Sequence, residues 1–469
     1  MRNKKKNIIY EDVEIIDTTS KGKSVGKTDD GKIIFIEKGV PGDIVNVSVF
    51  KKRKDFLEGK IEKLIFPSPN RIEQECEYFG LCGGCKWQNM DYTSQLFYKQ
   101  KEVFENIKRI GKIDLIKPEP ILGSSKKYFY RNKMEFSFSN RRWLSSEEIN
   151  NTENTLNKNG LGFHKPGMWD KVIDIEKCYL QEDPSNEIRN SVRKFSFKHN
   201  LSFYDYYNKT GLLRNLMIRS SSNGDLMVLI QFFENDLEKI NSLLKYLSLE
   251  FPTISSLNYC VNSKDNDSIY DQDIICFSGK SYITESMEGL KFKITPKSFY
   301  QTNSDQAYEL YKITLNYANL NGSEIVYDLY TGTGTIAQFI SRKCFKVIGI
   351  DSVPEAIEAA KYNAKVNNLK NTEFVAGDMK KVFNDSFIEK YGKADLIITD
   401  PPRDGMHRTV IEQILKLSPK KIVYVSCNSS TQARDLFLLK NRYEITRSRA
   451  VDMFPQTHHV ENVVLLEKK

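Results

Sequence analysis

Glu324-Ile-Val-Tyr-Asp-Leu-Tyr330 runs without a break into Thr331-Gly332-Thr333-Gly334-Thr335, and from Ile336 the pattern becomes helical. At a strand–turn–helix junction of this kind glycines let the backbone pass close to a ligand, and the helix N-terminus favours negative charge. The next apolar run, Lys346–Ile350, is followed by Asp351, 19 positions beyond Gly332, where a carboxylate accepts hydrogen bonds from both hydroxyls of a ribose. A third run, Thr372–Val375, leads into Gly377-Asp378, an acid placed to accept from an adenine amino group. Two further runs, Ala394–Thr399 and Lys421–Ser426, complete five short strands, most separated by helical stretches, after about Lys291. That alternation predicts an α/β fold with a doubly wound parallel sheet, whose ligands sit at the carboxyl ends of the strands. Gly332-Thr-Gly334-Thr-Ile-Ala337 also satisfies a loose dinucleotide pattern, so the glycine turn alone leaves a nicotinamide cofactor open.

The later strand ends narrow the chemistry. The fourth strand runs into Asp400-Pro401-Pro402-Arg403, a carboxylate on a rigid turn. Hydride transfer has no evident use for it, whereas enzymes that methylate planar bases commonly carry an acid–Pro–Pro turn there. The fifth strand ends at Cys427, followed by Asn428-Ser429-Ser430. A free thiol has a pKa of about 8.5, and strand-end amides with a helix start are expected to lower it into a reactive range. Near the C-terminus, Asp452-Met-Phe-Pro455-Gln-Thr-His458-His459-Val-Glu461 supplies a carboxylate, Glu461, as a candidate base. His458 and His459 come with no matching ligand set and are read as supporting or surface groups rather than metal ligands.

Upstream, residues 1–66 alternate like short strands at Asp12–Asp17, Lys32–Glu37, Asp43–Phe50 and Leu57–Leu64, with turn signals at Asp30-Gly31 and Pro41-Gly42-Asp43. Strands at this spacing predict a small closed barrel. Pro67-Ser68-Pro69-Asn70 reads as a linker. Residues 67–290 are mixed: Val103–Ile110 reads as helix, Met134–Ser139 and Leu226–Phe232 as strands, and the polar stretch Ser145–Asn159 as a mobile surface loop. Residues 291–469 form the α/β unit.

The densest thiol grouping is Cys76-(x5)-Cys82-Gly83-Gly84-Cys85, with Cys178 as the candidate fourth ligand. Three cysteines on a glycine-rich loop point to a metal or iron–sulfur site, and spacing alone does not separate zinc from iron–sulfur. It does argue against radical enzymes, whose cluster loop has three residues in its first gap. Cys260, Cys276 and Cys344 show no partner pattern and are assigned to packing. The chain has no apolar run of signal-peptide or membrane-spanning length, so a cytoplasmic protein with reduced thiols and no membrane partner is expected. Formal net charge is +9. Residues 1–66 hold 15 Lys/Arg against 11 Asp/Glu, with Lys51-Lys52-Arg53-Lys54 together, a cluster that suits phosphates or a solvated hairpin tip.

As a set, Cys76–Cys85, Tyr130-Arg-Asn-Lys-Met134, Gln301-Thr-Asn303, Asp328–Thr335, Asp400–Arg403, Ser426-Cys427-Asn428 and Asp452–Glu461 resemble the 5-methyluridine RNA methyltransferase family, in its iron–sulfur-containing 23S ribosomal RNA branch. The resemblance implies an RNA-binding TRAM barrel, a central α+β iron–sulfur domain with a [4Fe–4S] cluster on Cys76, Cys82, Cys85 and Cys178, and a Rossmann-like catalytic domain. It implies S-adenosylmethionine held by Gln301, Tyr330, Asp351 and Asp400, joined by Gly332, Gly334, Thr335 and Asp378 from the residue reading. Cys427 would be the nucleophile and Glu461 the proton acceptor. Thr331 stands where relatives often have Cys, and Thr335 where some have Asn. The implied partner is RNA, not DNA. Members acting on tRNA commonly lack the barrel and the cluster cysteines, which turns the expectation toward 23S ribosomal RNA. Tyr130, Arg131 and Lys133 are candidates for stacking and phosphate contact with a flipped-out uridine. A radical tRNA-modifying enzyme and a non-catalytic RNA-binding redox sensor are the alternatives.

Overall fold

The computed structural model describes residues 8–115, 118–150 and 157–469. Five strands, β1 (Ile8–Thr18), β2 (Ser24–Lys27), β3 (Ile33–Glu37), β4 (Ile44–Lys52) and β5 (Phe56–Phe66), close into a barrel in the order β1-β2-β3-β5-β4. Its interior is a small apolar cluster built from Val13, Ile15, Ile34, Ile36, Val45, Val47 and Leu57. Alternation predicted all of these strands except β2, which at four residues is too short to show it.

Helix α1 (Tyr92–Arg109) starts where the Asp91 carboxylate accepts the Ser94 N–H, 11 residues before the predicted start at Val103. It packs on the catalytic layer rather than on the central segment, and β6 (Glu119–Leu122) joins the edge of the catalytic sheet beside the late strand that precedes the Glu461 loop. A seven-stranded, mostly antiparallel sheet follows, in the order β13-β12-β11-β10-β7-β8-β9. Its elements are β7 (Lys133–Ser139), α2 (Ser146–Asn150), β8 (Gly160–Lys165), β9 (Met168–Asp174), α3 (Ser185–Lys198), β10 (Leu213–Ser220), β11 (Leu226–Phe232), α4 (Leu237–Glu250), β12 (Ser256–Val261) and β13 (Ile275–Gly279). Within the loop predicted from Ser145 to Asn159, residues 146–150 are helical and 151–156 lie outside the described residues. The hairpin β14 (Ile283–Met287) and β15 (Leu290–Ile294) leads into the last unit.

That unit comprises α5 (Ser304–Ala318), β16 (Ile325–Leu329), α6 (Thr335–Ser341), β17 (Lys346–Asp351), α7 (Pro354–Val366), β18 (Thr372–Ala376), α8 (Met379–Val382), α9 (Asp385–Tyr391), β19 (Leu396–Thr399), α10 (Arg408–Leu417), β20 (Lys421–Ser426), α11 (Ser429–Leu439), β21 (Tyr443–Val451) and β22 (Glu461–Lys468). The sheet order is β18-β17-β16-β19-β20-β22-β21-β6, parallel from β18 through β20. β16, β19 and β20 are buried almost end to end because helices cover both faces of a parallel sheet. β22 inserts antiparallel beside β20, pairing Ser426 with Asn462. Among the described residues no helix is long and apolar enough to cross a membrane.

Candidate active site and thiol cavity

A cavity of about 1530 Å³ opens at the carboxyl ends of the parallel strands. Its first wall is the glycine turn. Tyr330 and Gly332 both take left-handed backbone, φ 65° and 56°, which folds the chain sharply back after β16. The Gly332 N–H donates to Asp351 Oδ2 at 2.9 Å, while Asp351 Oδ1 accepts from the Val353 N–H at 2.9 Å. Two backbone donors thus fix the Asp351 carboxylate at the cavity rim. A side chain at Gly332 would enter open space, and the cavity lies there. Gly334 has another reason: φ is 76°, and a Cβ would lie 2.9 Å from Ala360 and from the Phe374 ring. It does not line the cavity.

Gln301, Tyr330, Gly332, Thr335, Asp351 and Asp400 all line this space, as do Cys427 and Glu461. Asp378 does not. Its carboxylate caps α8, accepting from the Lys380 N–H at 3.0 Å. An acid directly before a helix has this local use.

The Cys427 end of the cavity is assembled by strand pairing. Because Ser426 pairs with Asn462, the antiparallel register places Cys427 across from Glu461, 34 residues on in sequence. Asn428 then caps α11, accepting the Ser430 N–H, while its amide donates to the Arg403 carbonyl at 2.9 Å and Thr431 Oγ1 donates to the same carbonyl. These bonds tie the Asp-Pro-Pro-Arg turn to the turn after Cys427. Arg403 reaches His459, Nη2 to Nδ1 at 3.3 Å. His459 lines the cavity, and burial with nearby cations pushes both histidines down, His458 to about 4 and His459 to about 3, so both are neutral at pH 7.

Electrostatics here run against the expected lowering of the thiol. Burial, then Glu461 and Asp400, push Cys427 up to about 12, with Arg403 opposing. Strand-end amides are too weak against burial and two carboxyls. Glu461 is itself raised, by burial first and by Asp400 second, and Asp400 is raised by burial and by Asp328. Asp328 is a further acid of the site. It is buried at the end of β16, accepts from Thr331 Oγ1 at 2.5 Å and from the Ala337 N–H at 3.1 Å, and is pushed up to about 7 by burial. Its one legible signal was a lone acid inside an apolar strand. Tyr311, raised by burial and by Asp400, Asp328 and Glu461, also faces the cavity. Its helical spacing looks like any core position.

Cys76, Cys82, Cys85 and Cys178 converge on a second cavity, of about 510 Å³. Asn186 accepts the Cys178 N–H at 2.7 Å and the Gln88 side chain accepts the Cys76 N–H at 3.2 Å, so both ends of the thiol set are anchored. Burial, with the neighbouring thiols adding to it, raises Cys82 to about 11 and Cys85 to about 12. Among the described residues no three His, Cys, Asp or Glu side chains form a group that could hold a metal ion. Arg131 and Thr302 line both cavities. Tyr130 is not available for stacking: it is buried and donates its hydroxyl to the Pro455 carbonyl at 3.0 Å. Lys133 pairs with Glu135 at 2.6 Å.

A parallel sheet with an acid-tethered glycine turn, an acid–Pro–Pro turn and a strand-end thiol defines a Rossmann-like methyltransferase. The family model "tRNA (Uracil-5-)-methyltransferase" matches residues 271–469, and the TRAM domain model matches residues 9–61. A Bacteroides thetaiotaomicron protein named as an uncharacterized RNA methyltransferase is 52% identical over 451 residues, covering 96% of this chain and 99% of its own. A Porphyromonas gingivalis protein with the same description is 49% identical, covering 97% and 99%. The solved tRNA (uracil-54, C5)-methyltransferase of Pyrococcus abyssi, in complex with S-adenosyl-L-homocysteine, is 28% identical with a TM-score of 0.75, covering 97% of this chain and 99% of its own. The chain belongs to the uracil-C5 RNA methyltransferase family and is an S-adenosylmethionine-dependent enzyme acting on RNA. Since a tRNA enzyme spans nearly this whole chain, the presence of an N-terminal barrel does not by itself select ribosomal RNA over tRNA.

Proposed function

We propose that the enzyme methylates C5 of an unpaired uridine through a covalent adduct between Cys427 and C6. The observation that carries this is the register that sets Cys427 opposite Glu461 in one cavity with Asp351 and Asp400. S-adenosylmethionine supplies an electrophilic methyl on a positively charged sulfur, and that charge favours the thiolate that Glu461 and Asp400 otherwise oppose. Asp351 would take the ribose hydroxyls, with Tyr330, Gly332, Thr335 and Gln301 around the nucleoside.

The Cys427 thiolate adds to C6, and the pyrimidine π electrons move toward O4, making C5 nucleophilic. C5 then takes the methyl, leaving the sulfur neutral. Glu461 removes the C5 proton; its electron pair restores the C5–C6 double bond as the sulfur–C6 bond breaks. Burial and Asp400 raise the proton affinity of Glu461, which suits an acceptor.

The donor set of four thiols on one cavity fits a [4Fe–4S] cluster at Cys76, Cys82, Cys85 and Cys178. A cluster spreads its ligands over four irons, so such thiols need not close on a single ion, as zinc would demand. Bound there, a cluster would tie Cys178 to the cysteine loop and hold the two rigidly together. We further propose 23S ribosomal RNA as the target, as the branch with these cysteines implies.

The test is methyl incorporation from labelled cofactor into 23S ribosomal RNA and into tRNA, with wild type and Cys427→Ala. Wild type should label a uridine in 23S ribosomal RNA, and the variant should label nothing while binding S-adenosylhomocysteine within about twofold of wild type. Turnover by Cys427→Ala refutes the covalent route, and labelling of tRNA alone refutes the target. Iron content and visible absorbance of anaerobically purified protein, lost in Cys178→Ser, check the cluster.

A further inference from the structure

The methyl-transfer cavity accounts for one flipped nucleotide and leaves unexplained an aromatic surface on the central sheet. Trp169, in the edge strand β9, is 60% exposed, and Tyr207 is 52% exposed. Their rings lie 5.0 Å apart, centroid to centroid, and Tyr206 stands 6.2 Å from Trp169. Cations sit over two rings of this surface: the Arg141 guanidinium covers one face of Tyr207, 4.1 Å from its centroid, and Lys165 is 5.0 Å from that of Trp143. A buried core would use such rings, and a solvated face would not gather them.

The surface is continuous with the two cavities. His164, beside Lys165 in β8, lines the thiol cavity and meets the Tyr206 hydroxyl at 3.1 Å. Pro166, in the turn between β8 and β9, closes on the cysteine loop, so that a Cβ on Gly83 would lie 3.0 Å from its ring. Lys165 is near enough to Lys38 of the barrel and to Cys82 to feel their charges. From there Arg131 and Thr302 lead into the methyl-transfer cavity. Barrel, cysteine loop and aromatic surface thus form one face.

We infer that Trp169 and Tyr207 form a stacking platform for unpaired bases of the substrate RNA flanking the target uridine, with Arg141 and Lys165 holding its phosphates. Single-stranded RNA presents flat faces to aromatic side chains and a phosphate row to cations, and this surface offers both together. The apolar edge alone would also suit a protein strand, but the cations over the rings favour a polyanion. The inference rests on RNA being the substrate.

The test uses the full chain with a fluorescein-labelled, single-stranded 20-nucleotide RNA of mixed sequence, with methylation measured alongside. Trp169→Ala and Tyr207→Ala should each weaken binding about 5- to 100-fold, the range of one lost base stack. Trp169→Phe should retain affinity while losing the part of the RNA-induced quenching of indole fluorescence that Trp169 contributes. Lys165→Ala should lower the slope of log affinity against log salt by about one, which Trp169→Ala should not. All four should keep wild-type affinity for S-adenosylhomocysteine. If wild type binds and methylates RNA but Trp169→Ala and Tyr207→Ala match its affinity within twofold, the platform is refuted and the RNA reading stands. If wild type neither binds nor methylates RNA, both fall.

Discussion

Replacing Glu461 with Gln separates the two halves of the reaction. Glu461 opens β22, is 5% exposed and shares the cavity with Cys427 and Asp400. Gln keeps the volume but accepts no proton, so thiolate addition and methyl transfer proceed and release fails. A positioned general base contributes about 10²- to 10⁴-fold, and turnover should fall by about that much. The methylated RNA should stay attached through Cys427 and run with the protein on a denaturing gel, and Cys427→Ala,Glu461→Gln should abolish the band. A stability effect with a defined sign accompanies this. Burial and Asp400 raise the Glu461 carboxyl, so its protonated form contributes stability that is fully present below the ordinary carboxylate range and is lost as pH rises through the raised value. Each unit of such a shift is worth about 1.4 kcal/mol. Gln does not ionise, so the melting temperature of the variant relative to wild type should increase between pH 5 and pH 8.5. Wild-type turnover, which needs the ionised base, should rise with pH over the same interval. A folded Glu461→Gln enzyme with turnover within tenfold of wild type, or one that methylates RNA and forms no adduct, would refute the assignment.

Three further outcomes test the frame around this chemistry. Asp351→Ala removes a carboxylate held by two backbone amides at the cavity rim, and should weaken S-adenosylhomocysteine binding about 10- to 100-fold by calorimetry. Lys99 and Asp452 form a fully buried pair at 2.6 Å at the base of the loop that carries Glu461, so Lys99→Met strands the carboxylate and should cost about 3–5 kcal/mol in denaturant unfolding. Gly334→Ala puts a Cβ on left-handed backbone 2.9 Å from Ala360 and Phe374, and should lower stability by about 1–3 kcal/mol in the same unfolding measurement.

Much of the site was legible because its constraints are local. Gly332 and Asp351 follow from how a strand must turn to bring backbone to a ligand, and Cys76, Cys82 and Cys85 sit on one short loop. Those relations survive any arrangement of the rest of the chain. Asp378 shows the limit: helix capping and ligand contact ask for the same residue at the same spacing, and the structure shows the cap. The run Tyr130–Lys133 reads as an RNA-facing motif, yet burial takes Tyr130 for the core, while Arg131 lines both cavities and Lys133 lines the thiol cavity.

By itself the sequence determined the α/β class, the closed barrel, the glycine turn with its acid, and the grouping of Cys76, Cys82 and Cys85, since each is written in periodicity or short spacing. The tertiary structure decided what pairs across the chain. The antiparallel insertion of β22 set Glu461 opposite Cys427, α1 and β6 were drawn onto the catalytic layer, and burial with two nearby carboxyls raised the thiol that strand-end amides were expected to lower. The reason is physical: pairing register and desolvation depend on which distant segments exclude water from a group, and no local pattern encodes that.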